Sequence, residues 1–323
     1  MPRPVRALGR SALVLTLAAL MVTVPGATIP LPDDPVAAHR STGCGLSPPH
    51  EPGATVRYSL TSGGAERSYL LHLPPGYTEH RSWPVLLAYH GRGGSGERMA
   101  EWSGLTGLPA VVVLPDGLIG DDDRSAWQGA PYSPPGVDDV AFTRALLDTV
   151  EAGLCADRTR IHAVGMSNGG GFAVVLACAI PDRIAAIATV AGAFYPHGLE
   201  CDPARPVPIV SFHGTDDATT PYTGDVERGL PDLARWNADR ALANGCRSGP
   251  ETTRSGLDVT VLEWSGCDQG AHVRHLVVDG GGHTWPGADV SGDEGRTTDT
   301  VEAHHELWRF LARHHLPLDR TGP

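Results

Sequence analysis

The sequence predicts an α/β domain, with one mostly parallel sheet and helices packed on both of its faces. Three observations lead there. Short continuous apolar runs recur along the chain, long enough for buried strands but too short for helices. Segments with an apolar period near 3.6 residues fall between several of them. The first two strand-like runs lie close together, as an antiparallel pair would, before strand and helix begin to alternate. With 323 residues, 41% of them hydrophobic, the chain can enclose one large core. No repeat or Ser/Thr/Pro-rich linker marks off a second domain.

The elements follow in order. Strands are expected at 56–60, 68–73, 85–90 and 110–114. A helix at 139–154 carries apolar residues at Val140, Ala141, Leu146, Leu147 and Val150. A strand at 161–164 runs into an Ala-rich helix at 172–180. Strands at 186–191 and 208–213 lead to a helix at 230–244, which Gly245 stops. Strands at 259–264 and 273–279 precede a closing helix at 302–315, where Leu307, Trp308, Phe310 and Leu311 form one broad face. Ligands of such sheets bind beyond the carboxyl ends of the strands. Four glycine-bearing turns are expected there: His90-Gly91, Gly165, His213-Gly214 and Gly280-Gly281.

Compartment is read from the N-terminus. Arg3, Arg6 and Arg10 precede the apolar stretch 12–24 and then Pro25-Gly26-Ala27, the pattern of a secretory signal peptide spanning 1–27. The apolar run falls short of the about 20 residues a membrane span needs, so no stable membrane association is expected. Residues 28–50 are Pro-rich and read as an irregular lead-in to a catalytic domain at 51–318. Six cysteines in an exported chain suggest three disulfides. Cys246 and Cys267 bracket a predicted strand and form the most local candidate pair, a closure worth about 3 kcal/mol. Cys44, Cys155, Cys178 and Cys201 would supply two more. None has the spacing of a zinc site. His305-Glu306 does not extend to a zincin pattern, because position 309 is Arg, and the histidines at 304, 305, 314 and 315 read as solvent-facing. A net charge of −12, no lysine and no basic block argue against a nucleic-acid partner.

The chemistry centres on Gly165-Met166-Ser167-Asn168-Gly169, a G-x-S-x-G pattern between the strand at 161–164 and the helix at 172–180. Glycine two positions either side permits a turn too tight for side chains, which lifts the serine hydroxyl above the sheet edge. A serine needs a base to activate it and a carboxylate to orient that base. On α/β-hydrolase sheets these partners follow in the order serine, acid, histidine. The strand at 208–213 runs into Gly214-Thr215-Asp216-Asp217, and the strand at 273–279 runs into Gly280-Gly281-Gly282-His283. His283 is therefore the expected base, ahead of His272 and His275. Asp217 is the expected acid, preferred to Asp216, which can act as a turn former. His213 precedes the carboxylate and reads as a strand-ending structural residue. Upstream, strand 85–90 feeds Gly91-Arg92-Gly93-Gly94, and the backbone amides of Arg92 and Asn168 are the expected oxyanion donors. Each such donor is typically worth about 3–4 kcal/mol in the transition state. Trp285 and Tyr222 are candidates to flank an acyl group. The long irregular segment 116–138, with Asp121-Asp122-Asp123, Trp127 and Tyr132, reads as a specificity loop that brings Trp127 to the substrate.

Several of these segments occur together in one family. His90-Gly91-Arg92-Gly93-Gly94, Asp139-Val140-Ala141-Phe142, residues 160–171 and Ala191-Gly192-Ala193-Phe194-Tyr195 are four of them. His213-Gly214-Thr215-Asp216-Asp217 with Pro221-Tyr222, and Gly282-His283-Thr284-Trp285-Pro286-Gly287, complete the set. In this order, over about 43–315, the chain resembles secreted feruloyl esterases and the wider esterase and polyhydroxybutyrate-depolymerase family of family-one carbohydrate esterases. The resemblance implies an α/β-hydrolase fold, a Ser167–Asp217–His283 triad, several disulfides, and no metal or organic cofactor. It implies hydrolysis of feruloyl or related cinnamoyl esters of plant-wall polysaccharide such as arabinoxylan, through an acyl-enzyme. Acetyl-xylan esterase and short-chain polyhydroxybutyrate depolymerase are the alternatives on the same machinery. A catalytically silent secreted binding protein is the non-enzyme alternative. Without the substrate-binding module that many polymer-degrading relatives carry, small-molecule or oligomeric esters are the expected substrates.

Overall fold

The computed structural model describes residue 1 and residues 39–317, apart from 121, 197–200, 202–203 and 289–294. The predicted signal peptide beyond its first residue, the first part of the lead-in and residue 318 lie outside the described residues.

Ten strands form one sheet, and chain connectivity explains its order. A hairpin of β1 (Thr55–Ser62) and β2 (Ala65–His72) starts one edge. Beside it come β4 (Val111–Pro115), β3 (Trp83–Tyr89), β7 (Ala156–Met166), β8 (Ala186–Val190), β9 (Ile209–Gly214) and β12 (Val273–Val278). These six run parallel to one another. Antiparallel β11 (Val259–Ser265) and β10 (Ser248–Ser255) close the other edge. A two-residue pair, β5 (Leu118–Ile119) and β6 (Ser125–Ala126), stands apart.

The central strands are apolar on both faces because helices cover both. Along β3 the side chains alternate: Val85, Leu87 and Tyr89 enter one core cluster, Leu86 and Ala88 the other. The first cluster is capped by α2 (Asp139–Gly153) and α3 (Asn168–Ala179), through residues such as Phe142, Leu146 and Phe172. Trp236 of α4 (Leu233–Ala243) packs against it. The second cluster is capped by α1 (Gly96–Trp102) and α5 (Ala303–Leu311), through Met99, Leu307 and Phe310.

Besides the short β5–β6 pair, β10 and α1 depart from the sequence expectation. Strand β10 reads SGPETTRS and has no apolar pattern; it pairs with β11 through its backbone and leaves its side chains at the solvent edge. Helix α1 has only seven residues, too few to show a period, and begins where the Ser95 hydroxyl accepts from the Arg98 amide at 3.2 Å.

Three disulfides are present: Cys44–Cys155, Cys178–Cys201, and Cys246–Cys267, which closes the open end of the β10–β11 hairpin. The first, with the Ser41 amide donating to Ala156 O at 3.0 Å, ties the described end of the lead-in to the start of β7. Among the described residues no helix is long and apolar enough to cross a membrane.

The core also encloses histidines. His162 of β7 is fully buried against Trp308, and neither ring nitrogen has a hydrogen-bond partner among the described residues. Burial drives its pKa down to about 3, and does the same to His275. His314, half-buried and not solvent-facing as expected, is lowered by burial to about 4. In the unfolded chain these groups take up protons below about pH 6.5, while in the fold they stay neutral. Stability is therefore retained above pH 6.5 and falls as the pH drops toward 3. Urea unfolding should show this decline, and His162→Leu should flatten it by about 1.4 kcal/mol per pH unit between pH 6 and 4; an unchanged slope would contradict the assignment.

Candidate active site

The strand ends assemble the site. Where β7 gives way to α3, Ser167 takes φ 55° and ψ −122°, a strained conformation for a non-glycine residue. The turn that imposes it is crowded. A Cβ on Gly165 would lie 2.1 Å from Gly169 O, and one on Gly169 would lie 2.1 Å from Tyr89 O at the end of β3. Glycine at both positions is thus a steric requirement. The Ser167 amide donates to Val190 O at 2.9 Å and its carbonyl accepts from the Ala193 amide at 3.0 Å, so the end of β8 fixes the turn.

The loops after β9 and β12 come together just as closely. A Cβ on Gly214 would lie 2.1 Å from Gly281 O, and the Asp216 amide donates to Gly281 O at 2.9 Å. That contact brings His283 Nδ1 within 2.8 Å of Asp217 Oδ2. Asp217 is buried, and five donors surround it. Oδ1 accepts from the amides of Thr219 at 2.8 Å and Thr220 at 2.7 Å. Oδ2 faces His283, the Thr220 hydroxyl at 2.9 Å and His213 Nε2 at 3.1 Å. Burial alone would favour the neutral acid, but hydrogen bonds from His213 and His283 outweigh it and hold its pKa well below the ordinary carboxylate range. Asp216, by contrast, is exposed, and the Thr215 hydroxyl is its side-chain neighbour.

Ser167 and His283 line one cleft of about 420 Å³. The glycine loop with Arg92 lines it, and its apolar lining includes Met99, Trp102, Met166, Trp285 and Ala288. Trp102 and Trp285 meet edge to face, 5.3 Å between centroids. Among the described residues, nothing accepts a hydrogen bond from the backbone amides of Arg92 and Asn168. Their side chains are engaged elsewhere. The Arg92 guanidinium pairs with Asp122 and stacks 4.1 Å over the Tyr132 ring. The Asn168 side chain exchanges two bonds with the Trp127 backbone, accepting at 2.7 Å and donating at 3.2 Å. His90 braces the loop as well: Nδ1–H donates to Gly91 O at 2.7 Å while Nε2 accepts from the Gly117 amide at 2.9 Å. Burial lowers its pKa, which keeps this neutral tautomer.

Two expected substrate contacts are placed elsewhere. Trp127 has no exposed surface; its ring stacks on Phe172, and its indole N–H donates to His90 O at 2.9 Å. It is a buried brace between the 116–138 segment and the glycine loop. Tyr222 does not line the cleft either. Its ring lies over His275, and its hydroxyl meets His275 Nε2 at 3.2 Å. None of the described residues of the 116–138 segment lines the cleft either; the segment supports the glycine loop, with Gly93 N donating to Ser125 O at 2.8 Å. Sequence reasoning missed Met99 and Trp102, which only the unpredicted α1 brings to the cleft, and Thr220, which a turn three residues beyond Asp217 brings back to it. Glu302, His304 and His305 bring potential ligand atoms within 4.8 Å of one another, but none of the three lines the cleft.

Comparison with known proteins shows the family and the fold. The Esterase family model ("Putative esterase") matches residues 61–257. Feruloyl esterase D of Neurospora crassa is 30% identical over 86% of this chain and 91% of its own. Feruloyl esterase B of Piromyces equi is 32% identical over 67% of this chain, which spans only 42% of that longer protein. The solved acetyl xylan esterase of Aspergillus awamori shares the fold, with a TM-score of 0.54 at 14% identity, over 80% of this chain and 99% of its own. The chain belongs to the Esterase family, in its feruloyl esterase type with the α/β-hydrolase fold, and is a carboxylic ester hydrolase.

Proposed function

We propose that the protein is a secreted serine esterase that releases ferulic acid from plant-wall polysaccharide such as arabinoxylan. The observation that carries the reading is the 2.8 Å contact of His283 with buried Asp217, behind a cleft that Ser167 shares. Ser167 attacks the ester carbonyl as His283 accepts its proton, and Asp217 holds the imidazole in the tautomer that leaves Nε2 free to do so. The unengaged amides of Arg92 and Asn168 receive the developing oxyanion. His283 then protonates the departing alcohol, and water repeats the sequence on the acyl-enzyme.

Two features support an aromatic acyl group. The cleft lining beside the glycine loop is apolar, with Trp102 and Met166 partly exposed and Trp285 and Met99 buried beside them, a surface on which a planar ring packs well. Both curated relatives described above are feruloyl esterases by name. Export is supported by the basic and apolar N-terminal pattern and by three disulfides, which persist in oxidising compartments.

Ser167→Ala should lower kcat by about 10⁴-fold or more while circular dichroism and unfolding midpoint stay unchanged; a folded variant within tenfold of wild type would contradict the assignment. Substrate class is tested separately with methyl ferulate, acetylated xylan and hydroxybutyrate oligomers. The highest kcat/KM is expected on methyl ferulate. A preference for either of the others would move the protein to acetyl-xylan esterase or polyester depolymerase activity and leave the mechanism in place.

A further inference from the structure

We propose that His213 is a positioning residue which shares the Asp217 carboxylate with His283 and thereby limits how basic His283 becomes. The proposal rests on the triad reading above. His213 stands near the end of β9, and its Nε2 lies 2.7 Å from the Thr220 carbonyl oxygen. A carbonyl only accepts, so this nitrogen carries the ring proton. The same N–H is 3.1 Å from Asp217 Oδ2, the oxygen that His283 also contacts at 2.8 Å. Two imidazole donors and the Thr220 hydroxyl therefore divide the charge of one carboxylate oxygen.

The titratable groups facing His213 are few. Asp217 lies on the loop that follows its own strand, and His283 comes from the β12 loop. Tyr222 approaches edge to face at 6.2 Å, and His275 of β12 lies beneath, kept neutral by burial. Asp217 is thus the charge that His213 meets. If His213 is removed, the amides of Thr219 and Thr220 still hold Oδ1, so the carboxylate keeps its place. Its charge then falls more fully on His283, which retains a proton to higher pH and serves as a base over a narrower range. A histidine that only ties the 217–220 turn would affect stability and leave the pH profile where it was.

The test is the pH dependence of kcat/KM on methyl ferulate for wild type, His213→Leu and His213→Gln. In the leucine variant the acid limb should move up by about half a pH unit or more, with KM little changed. The glutamine side chain keeps an N–H donor and should return the limb toward wild type. A folded leucine variant with an unmoved limb overturns the proposal. Should that variant not fold, nitrogen-15 histidine spectra of the wild-type enzyme decide instead: His213 protonated at Nε2 supports the proposal, and protonation at Nδ1 alone overturns it. Asp217→Asn separates the two levels. Activity that survives it removes the triad and this proposal together, whereas loss of activity there with an unmoved limb in His213→Leu removes this proposal alone.

Discussion

The turn between β7 and α3 passes so close to the end of β3 that neither Gly165 nor Gly169 has room for a Cβ. Much of the site depends on that approach. It holds Ser167 in a conformation that an L-residue adopts only under constraint, and it starts α3 so that the Asn168 amide is left without an internal acceptor. It also sets the Asn168 side chain against Trp127, which in turn reaches His90 and the glycine loop. Ser167 and the amides of Arg92 and Asn168, the proposed nucleophile and oxyanion donors, are therefore placed where the ends of β3, β7 and β8 meet.

The acid side of the site follows a different logic. A buried carboxylate is costly unless donors surround it, and Asp217 has five: two amides, a hydroxyl and two imidazoles. They come from its own turn, from the end of β9 and from the β12 loop. This arrangement keeps the carboxylate charged and also fixes the direction in which it presents that charge to His283. The second of these imidazoles, His213, contacts the same carboxylate oxygen as His283 yet does not line the cleft.

Much of this was legible in the sequence, and the residues show why. Strands buried on both faces leave continuous apolar runs, so β3, β4, β8 and β9 stand out. Strand β10 leaves no such trace, because its polar side chains face solvent and only its backbone is in the sheet. The strand-end glycines mark the loops that carry Ser167, Asp217 and His283. Which aromatic residues meet a ligand is not written locally: Trp127 and Tyr222 sit in loops near the site, yet they face the core and His275, while Trp102 reaches the cleft from a seven-residue helix. The role of His213 was hidden for the same reason. Its partner is only four positions away, but whether a strand end curls back on itself depends on the turn at 217–220.

The most direct test of the account is covalent trapping. The protein, treated with a fluorophosphonate and digested, should carry the adduct on the peptide containing Ser167 and on no other serine, and Asp217→Asn should slow the labelling strongly. An adduct on a different residue, or labelling of Ser167 at an undiminished rate in Asp217→Asn, would contradict it.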